Sequence, residues 1–460
     1  METAMVTRRT VALRAGGTAA AGLLSIALAG CGGGSGQSAG SEPSLKASGP
    51  VTIEFWHWGT PDYRARQLRV VDAFQQKFPQ ITVNVSTLDY GDLVNKLQTS
   101  FAGDVPPDTF HMDMPWVQDY GPRNWVLDLN ELLRRDKNAY GNAYKSAPLG
   151  KLAFQIMSWK NVLTGVPSGA GPNLYFYNAE LFRSAGLATP YELYKADKWT
   201  WEAFLDAAQK LTKRQGDQLV IAGFEQGLHR LWMNTAGTEE FDSYQAPTKC
   251  LYDTPQAIEA LRFLQDSRLK QRVQPVNFSK EMGQDSTKAF VAGKVAMMAR
   301  WTSGIGVFKD IDNFKWGMVP YPKKTAYAVD YATSGDAISR SGKHHDASWA
   351  WCNFAAGPEG GREAATDGTN VYFHPETQKV TLEAHQKMKM LETPGFHTDI
   401  LNQEKYSHVR LLSKDQAQIQ SEFIGPATNK IWNGEEAPDT AARTLASQLN
   451  DWLKQHPQAG

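Results

Sequence analysis

The sequence predicts an α/β protein of two lobes. Three observations lead there. From Val51 onward, short alternating strands take turns with amphipathic helices. The C-terminal half is richer in helix but still holds strand-like pieces, and two turn-rich segments read as crossings between lobes. A length of 460 residues agrees, since domains of roughly 100 to 200 residues give two to four of them.

Val51, Ile53 and Phe55 alternate with Thr52 and Glu54 as a strand does. Leu68, Val71, Phe74 and Phe78 then recur at helical spacing, and Pro79 stops the helix. Ile81, Val83 and Val85 form a second strand, Leu93, Leu97 and Phe101 a second helix, and residues 109–112 a third strand. This βαβαβ order implies right-handed crossovers, a mostly parallel sheet and a ligand-facing edge at the strand C-termini. Further on, Ile258, Leu261 and Leu264 mark one helix, Ala347, Ala350, Trp351 and Phe354 another, and Ala441, Leu445, Leu449 and Trp452 the last. Residues 295–298 and 315–319 are strand-like between them. The crossings are expected at 165–172 and 323–335, which would build each lobe from discontinuous sequence able to hinge about a cleft.

Lys and Arg total 48 and so do Asp and Glu, with 42% hydrophobic residues. That balance excludes a polyelectrolyte, a disordered chain and a strongly basic nucleic-acid binder. Arg8, Arg9 and Arg14 against Glu2 make the first 30 residues locally basic and leave the rest slightly acidic. An uncharged stretch after Arg14, residues 15–30, is too short and glycine-rich for a membrane span and reads as an export signal over residues 1–30. It ends at Leu28-Ala29-Gly30-Cys31, which resembles the bacterial lipobox. That resemblance implies a diacylglyceryl group on Cys31, a flexible tether over 31–50 and anchoring by lipid alone to the outer face of the cytoplasmic membrane. Arg8-Arg9 also resembles a twin-arginine signal, so either export route fits. Cys250 and Cys352 could pair in an oxidising setting, but two distant cysteines set no framework, and they are read as unpaired, partly buried thiols.

Several pieces in a fixed order resemble one family. They are Ile53-Glu54-Phe55-Trp56, Lys96-Leu97 with Gly103 and Pro107-Asp108, Gly165-Val166-Pro167 ahead of Tyr175-Phe176-Tyr177-Asn178, Thr200-Trp201-Glu202-Ala203-Phe204, and Phe290-Val291-Ala292-Gly293-Lys294-Val295-Ala296-Met297-Met298. Over about 51–453 the chain resembles the extracellular solute-binding proteins, family 1, of ABC importers, the group with maltose-type and oligosaccharide-binding members. The resemblance implies a periplasmic-binding-protein-like class II fold, with ligand held between two α/β lobes and delivered to the transmembrane subunits of a permease. The lobes are expected at 51–167 with 325–380, and at 173–322 with 385–460, in a monomer.

Enzyme chemistry finds no support in the sequence. There is no HExxH, P-loop or EF-hand pattern, and the one Gly-x-Ser-x-Gly, at Gly36 to Gly40, lies in the tether rather than between a strand and a helix. The neighbouring carboxylates Glu239 and Glu240 do not converge on one bond, and His344-His345 lacks a second pair to hold a metal. No cofactor, metal or nucleic acid is expected. An exported carbohydrate-active enzyme is the competing class, and the same fold with an amino acid, polyamine or phosphate ester is the other alternative.

The 14 Trp suit a sugar, whose ring face takes a flat aromatic and whose hydroxyl fringe takes bidentate polar groups. Trp58 is preferred to Trp56 because it lies nearer the strand end. Asp113 and Trp116 follow the third strand on the same edge, and Trp232 is a candidate in the second lobe. The family resemblance implies a ligand aromatic at Trp301, after the Val-Ala-Met-Met strand, with Arg300 and Ser303 in reach of hydroxyls. It also implies a glycine-rich turn lining the cleft, which brings in Tyr331, Gly335 and Asp336. Trp201, Trp351 and Trp452 are read as structural.

Overall fold

A computed structural model describes residues 49–136 and 148–458, all within the unit Ser41–Gly460. The export signal, Cys31 and most of the tether lie outside the described residues.

The first five elements follow the order expected. Strand Val51–Trp58 is succeeded by helix Pro61–Lys77, strand Ile81–Leu88, helix Tyr90–Ala102 and strand Thr109–Asp113. The three strands are parallel, with Trp58 opposite Leu88 and Phe55 opposite Thr109. Thr60 caps the first helix with its side-chain oxygen and Pro61 occupies the first turn, where its missing N–H costs nothing. The buried face of that helix is Arg66, Val70, Val71 and Phe74, whereas Leu68 is 40% exposed. Leu68 is therefore misassigned by spacing alone. Arg66 takes the inward place because Asp367 and Thr369 accept its guanidinium N–H groups, at 3.1 and 2.7 Å.

Among the described residues, one sheet has 11 strands. Strand Val329–Ile338 pairs antiparallel with Thr109–Asp113 on one side and with Val166–Asn178 on the other. The 13-residue strand Val166–Asn178 is the hand-over: its first half pairs with Val329–Ile338, its second with Val295–Trp301 and Trp316–Val319. Strand Gln218–Glu225 then pairs parallel to Val295–Trp301. The sheet is thus mixed rather than mostly parallel, because the two long strands that join its halves run against their neighbours.

Two apolar cores lie against it. Phe55, Phe74 and Trp351 meet in the first, with ring centroids 5.1 Å apart for Phe55–Trp351 and 5.4 Å for Phe74–Trp351. Trp201, Phe204, Phe224 and Trp232 meet in the second. Cys250 and Cys352 are unpaired and buried, one in each core. The turn after Gln218–Glu225 needs Gly227, with φ at +69°, because a Cβ there would lie 2.3 Å from the Tyr321 hydroxyl. That hydroxyl accepts from Leu228 N–H at 3.0 Å and donates to Asn173 Oδ1 at 2.9 Å, tying the turn to the hand-over strand.

Candidate ligand-binding cleft

The period of two along Val51–Trp58 turns Phe55 and His57 into the core and leaves Trp56 and Trp58 half-buried on the other face. The Lys96 ammonium lies 3.8 Å from the Trp56 ring centroid and covers it. Trp58 is different. Its ring stands 5.4 Å from Trp116, tilted 61°, and 5.4 Å from Tyr90, nearly perpendicular at 84°. The His111 ring lies 4.6 Å from it, tilted 43°.

Asp113 ends the third strand and forms the polar edge of this aromatic set. Its Oδ1 accepts from Met114 N–H at 2.9 Å, and its Oδ2 accepts from the Tyr90 hydroxyl at 3.0 Å. Trp116 Nε1–H donates to that same hydroxyl at 3.1 Å, so indole, phenol and carboxylate form one directed chain. Burial, helped by the Asp113 charge, pushes the Tyr90 hydroxyl above its ordinary range and keeps it a donor. Arg410 arrives from the distant segment that follows strand Ser407–His408, with its guanidinium 3.2 Å from Asp113 Oδ2. Trp58, Asp113 and Trp116 are therefore brought together. Tyr90, His111 and Arg410 belong with them and were not singled out from the sequence. Tyr90 was within reach, since Leu88 faces Trp58 across the parallel pair.

Other candidates fall elsewhere. Trp232 has no exposed surface; its ring lies 5.1 Å from Phe204 and 5.0 Å from Phe263, and Nε1–H is spent on Gln226 O at 3.0 Å. Apolar neighbours along its helix, Leu231 and Met233, draw it into the core, so the ligand role expected for it is corrected. Tyr331 is likewise wholly buried inside strand Val329–Ile338, and its expected contact is corrected for the same reason. Gly335 serves the backbone: a Cβ there would sit 2.6 Å from Val166 O, where the pairing is irregular between Ser334 and Gly335. Asp336 is 9% exposed and holds His111 Nδ1 at 2.7 Å, while Ser334 meets the other ring nitrogen at 2.8 Å. It orients His111 beneath Trp58.

Arg300 donates to Thr287 Oγ1, Trp301 is half-buried at the end of its strand, and Ser303 is exposed in the turn that follows. Trp301 is aligned with Asn173, Asn173 with Asp330, and Asp330 with His408. Three strand spacings separate the ends of that row, about 14 Å. Beside His408 lies a cavity of ≈ 300 Å³ whose lining includes Arg230, Asn234, Glu239, Glu240 and Tyr244. Arg230 pairs there with the wholly buried Asp330. Flat rings, carboxylates and guanidinium groups at hydrogen-bonding distance from one another are suited to holding a polar ring compound, with stacking on its face and acceptors at its edge.

Known structures carry the same fold. An ABC substrate-binding protein of Listeria monocytogenes in complex with cycloalternan superposes with a TM-score of 0.74 at 21% identity, over 88% of this chain and 99% of its own. The maltose-bound MalE3 protein of T. maritima gives 0.71 at 18%, over 88% and 100%. The cyclic α-maltosyl-1,6-maltose binding protein of Arthrobacter globiformis gives 0.69 at 17%, over 88% and 100%. These likenesses place the α/β sheet and its two cores among the two-lobed binding folds. The sequence pattern that defines one family matches residues 58–362, from Trp58 itself into helix Pro358–Ala365, and by that match the chain belongs to the bacterial extracellular solute-binding proteins.

Proposed function

We propose that this protein captures a sugar or oligosaccharide outside the cytoplasm and delivers it to the transmembrane subunits of an ABC importer. The observation that carries the reading is the Trp58, Tyr90 and Trp116 cluster with Asp113 and Arg410 at its edge. Saccharide ligands in the similar structures from Listeria monocytogenes, T. maritima and Arthrobacter globiformis point the same way. Micromolar capture requires about −8 kcal/mol. Aromatic platforms at ~0.5 to 1.5 kcal/mol each beyond burial, with charge-assisted hydrogen bonds at ~1.5 to 3 kcal/mol, supply it after ordering costs. Trp301, with Arg300 and Ser303 beside it, contributes from the far end of the row that reaches His408.

The lobes in this reading comprise 51–167 with 325–380, and 173–322 with 385–460, and they close over the ligand about the paired strands Val166–Asn178 and Val329–Ile338. Closure follows ligand only to the extent that both lobes touch it. Cys31 carries the lipid that keeps the monomer at the membrane. A thermal-shift screen of mono- and oligosaccharides tests the reading, because a ligand at about a hundred times its Kd stabilises by about 2.7 kcal/mol. A rise in Tm with at least one saccharide class is expected. No shift with any saccharide, or turnover of a glycan, overturns it.

A further inference from the structure

Next to His111 lies a smaller cavity, of ≈ 40 Å³, whose wall includes Tyr63 and Arg66 of the first helix, Ser168 of the hand-over strand, and Asp336 and Asn370. Its position joins the two ends of the site. The His111 ring is 4.6 Å from that of Trp58. Asn370 Oδ1 and Thr302 Oγ1, the latter directly after Trp301, both flank Gly171, where a Cβ would stand 3.4 Å from each.

The charges in the wall are already matched. Arg66 donates to Asp367 at 3.1 Å, and Asp336 takes His111 Nδ1–H at 2.7 Å. What remains is neutral. With Nδ1–H directed to Asp336, His111 Nε2 has one lone pair, and two hydroxyls approach it, Ser334 at 2.8 Å and Tyr63 at 3.2 Å. The nearer one takes the lone pair, which leaves the Tyr63 proton for another acceptor. The Ser168 hydroxyl and the Asn370 side-chain amide have no hydrogen-bond partner among the described residues. Tyr63, Ser168 and Asn370 are all half-buried, so each keeps surface in the cavity it lines. A water-sized group needs about 10 to 15 Å³ of such space, so the cavity admits about three of them and excludes a pyranose ring.

We infer that this cavity receives the exocyclic hydroxymethyl arm of a ring held between Trp58 and Trp301, which makes hexoses and hexose-based saccharides the preferred class and pentoses poor ligands. The inference rests on the carbohydrate reading of the cleft. The arm's hydroxyl accepts from Tyr63 O–H and donates to Asn370 Oδ1 or Ser168 Oγ. Three pairs of sugars that differ only in this arm test it: D-glucose with D-xylose, D-galactose with L-arabinose, and D-mannose with D-lyxose. Cellobiose with xylobiose repeats the comparison on a β-1,4 backbone. In calorimetric titration of the full chain, the hexose member of every pair that binds should be at least about tenfold the tighter, the scale of one or two hydrogen bonds.

That ratio should fall towards one when Ser168→Ala and Asn370→Ala are combined. Should the double variant fold poorly, the unaltered protein carries the same test with the 6-deoxy hexose, which keeps the arm's carbon, lacks its hydroxyl and should lose most of the advantage. A pentose that binds as tightly as its hexose overturns the inference, as does a 6-deoxy hexose that matches its parent or a ratio indifferent to the double substitution. D-glucuronate binding more tightly than D-glucose also overturns it, because the cavity would then take an anion. If longer saccharides bind and none of these hexoses nor cellobiose does, the inference fails alone. If no saccharide binds, the carbohydrate reading falls and the inference with it.

Discussion

The Arg410 guanidinium reaches the Asp113 carboxylate at 3.2 Å across 297 residues of sequence. The same segment sends His408 to Glu239 at 2.6 Å, so one short stretch of chain addresses a carboxylate beside the aromatic platform and another at the cavity. Arg410 and Asp113 keep only 25% and 15% of their side-chain surfaces, which leaves the pair partly screened by solvent.

Asp113→Ala removes the acceptor at the edge of the platform and leaves Arg410 unpaired. Saccharide affinity should fall at least about tenfold, while the unliganded protein loses only about 1 kcal/mol, the scale of a cap and a partly exposed ion pair. Calorimetry beside thermal unfolding separates the two effects. Affinity that survives the substitution would take Asp113 out of the site.

Trp58 and Trp232 should behave in opposite ways. Trp232→Ala empties a wholly buried indole site and should cost about 3 to 5 kcal/mol in denaturant unfolding. Trp58→Ala should cost far less stability and abolish most of the ligand-induced change in tryptophan fluorescence. Equal destabilisation by both would place Trp58 in the core.

Stability should depend on pH through the buried histidines. His57 donates Nδ1–H to Trp58 O at 3.0 Å and meets Thr87 Oγ1 at 3.0 Å through the other nitrogen. Burial lowers its pKa from 6.5 to about 4. Between those values the unfolded chain takes a proton that the fold refuses. The contribution is therefore complete above 6.5 and is lost as pH falls through that window, on the order of 3 kcal/mol. His229 is lowered to about 4 by burial and adds to the same slope. His57→Gln should flatten the Tm profile over this window, and an unchanged slope would assign the effect to other groups.

How far the sequence reached follows from the range of each signal. Alternation along Val51–Trp58 separated Phe55 and His57 from Trp56 and Trp58 because a strand's period is two. Strand ends located Asp113 and Trp116, and the neighbouring strand's register would have added Tyr90. Arg410 and His408 were out of reach, since their partners lie 297 and 169 residues away and no local pattern marks them. Trp232 and Leu68 failed for a related reason: an aromatic or a leucine on a helix faces whichever side the tertiary packing needs, and neither residue type nor spacing alone decides it.

Trp301→Ala should weaken saccharide binding at least about tenfold, a loss of about 1.4 kcal/mol. Titration of the variant with the best saccharide from the thermal screen checks this. Unchanged affinity would restrict the site to the Trp58 end of the row.

Membrane fractions should yield a protein whose first residue is a diacylated Cys31, read by mass spectrometry of the N-terminal peptide. Cleavage elsewhere with release of soluble protein would remove the anchor.

The most direct test is an equilibrium titration of the intact protein and of a Trp58→Ala, Trp116→Ala variant with the same saccharide. A dissociation constant of micromolar order is expected for the intact protein, and a loss of about a hundredfold, or about 2.7 kcal/mol, in the variant. A correctly folded variant that binds the saccharide as tightly as the intact protein would contradict it.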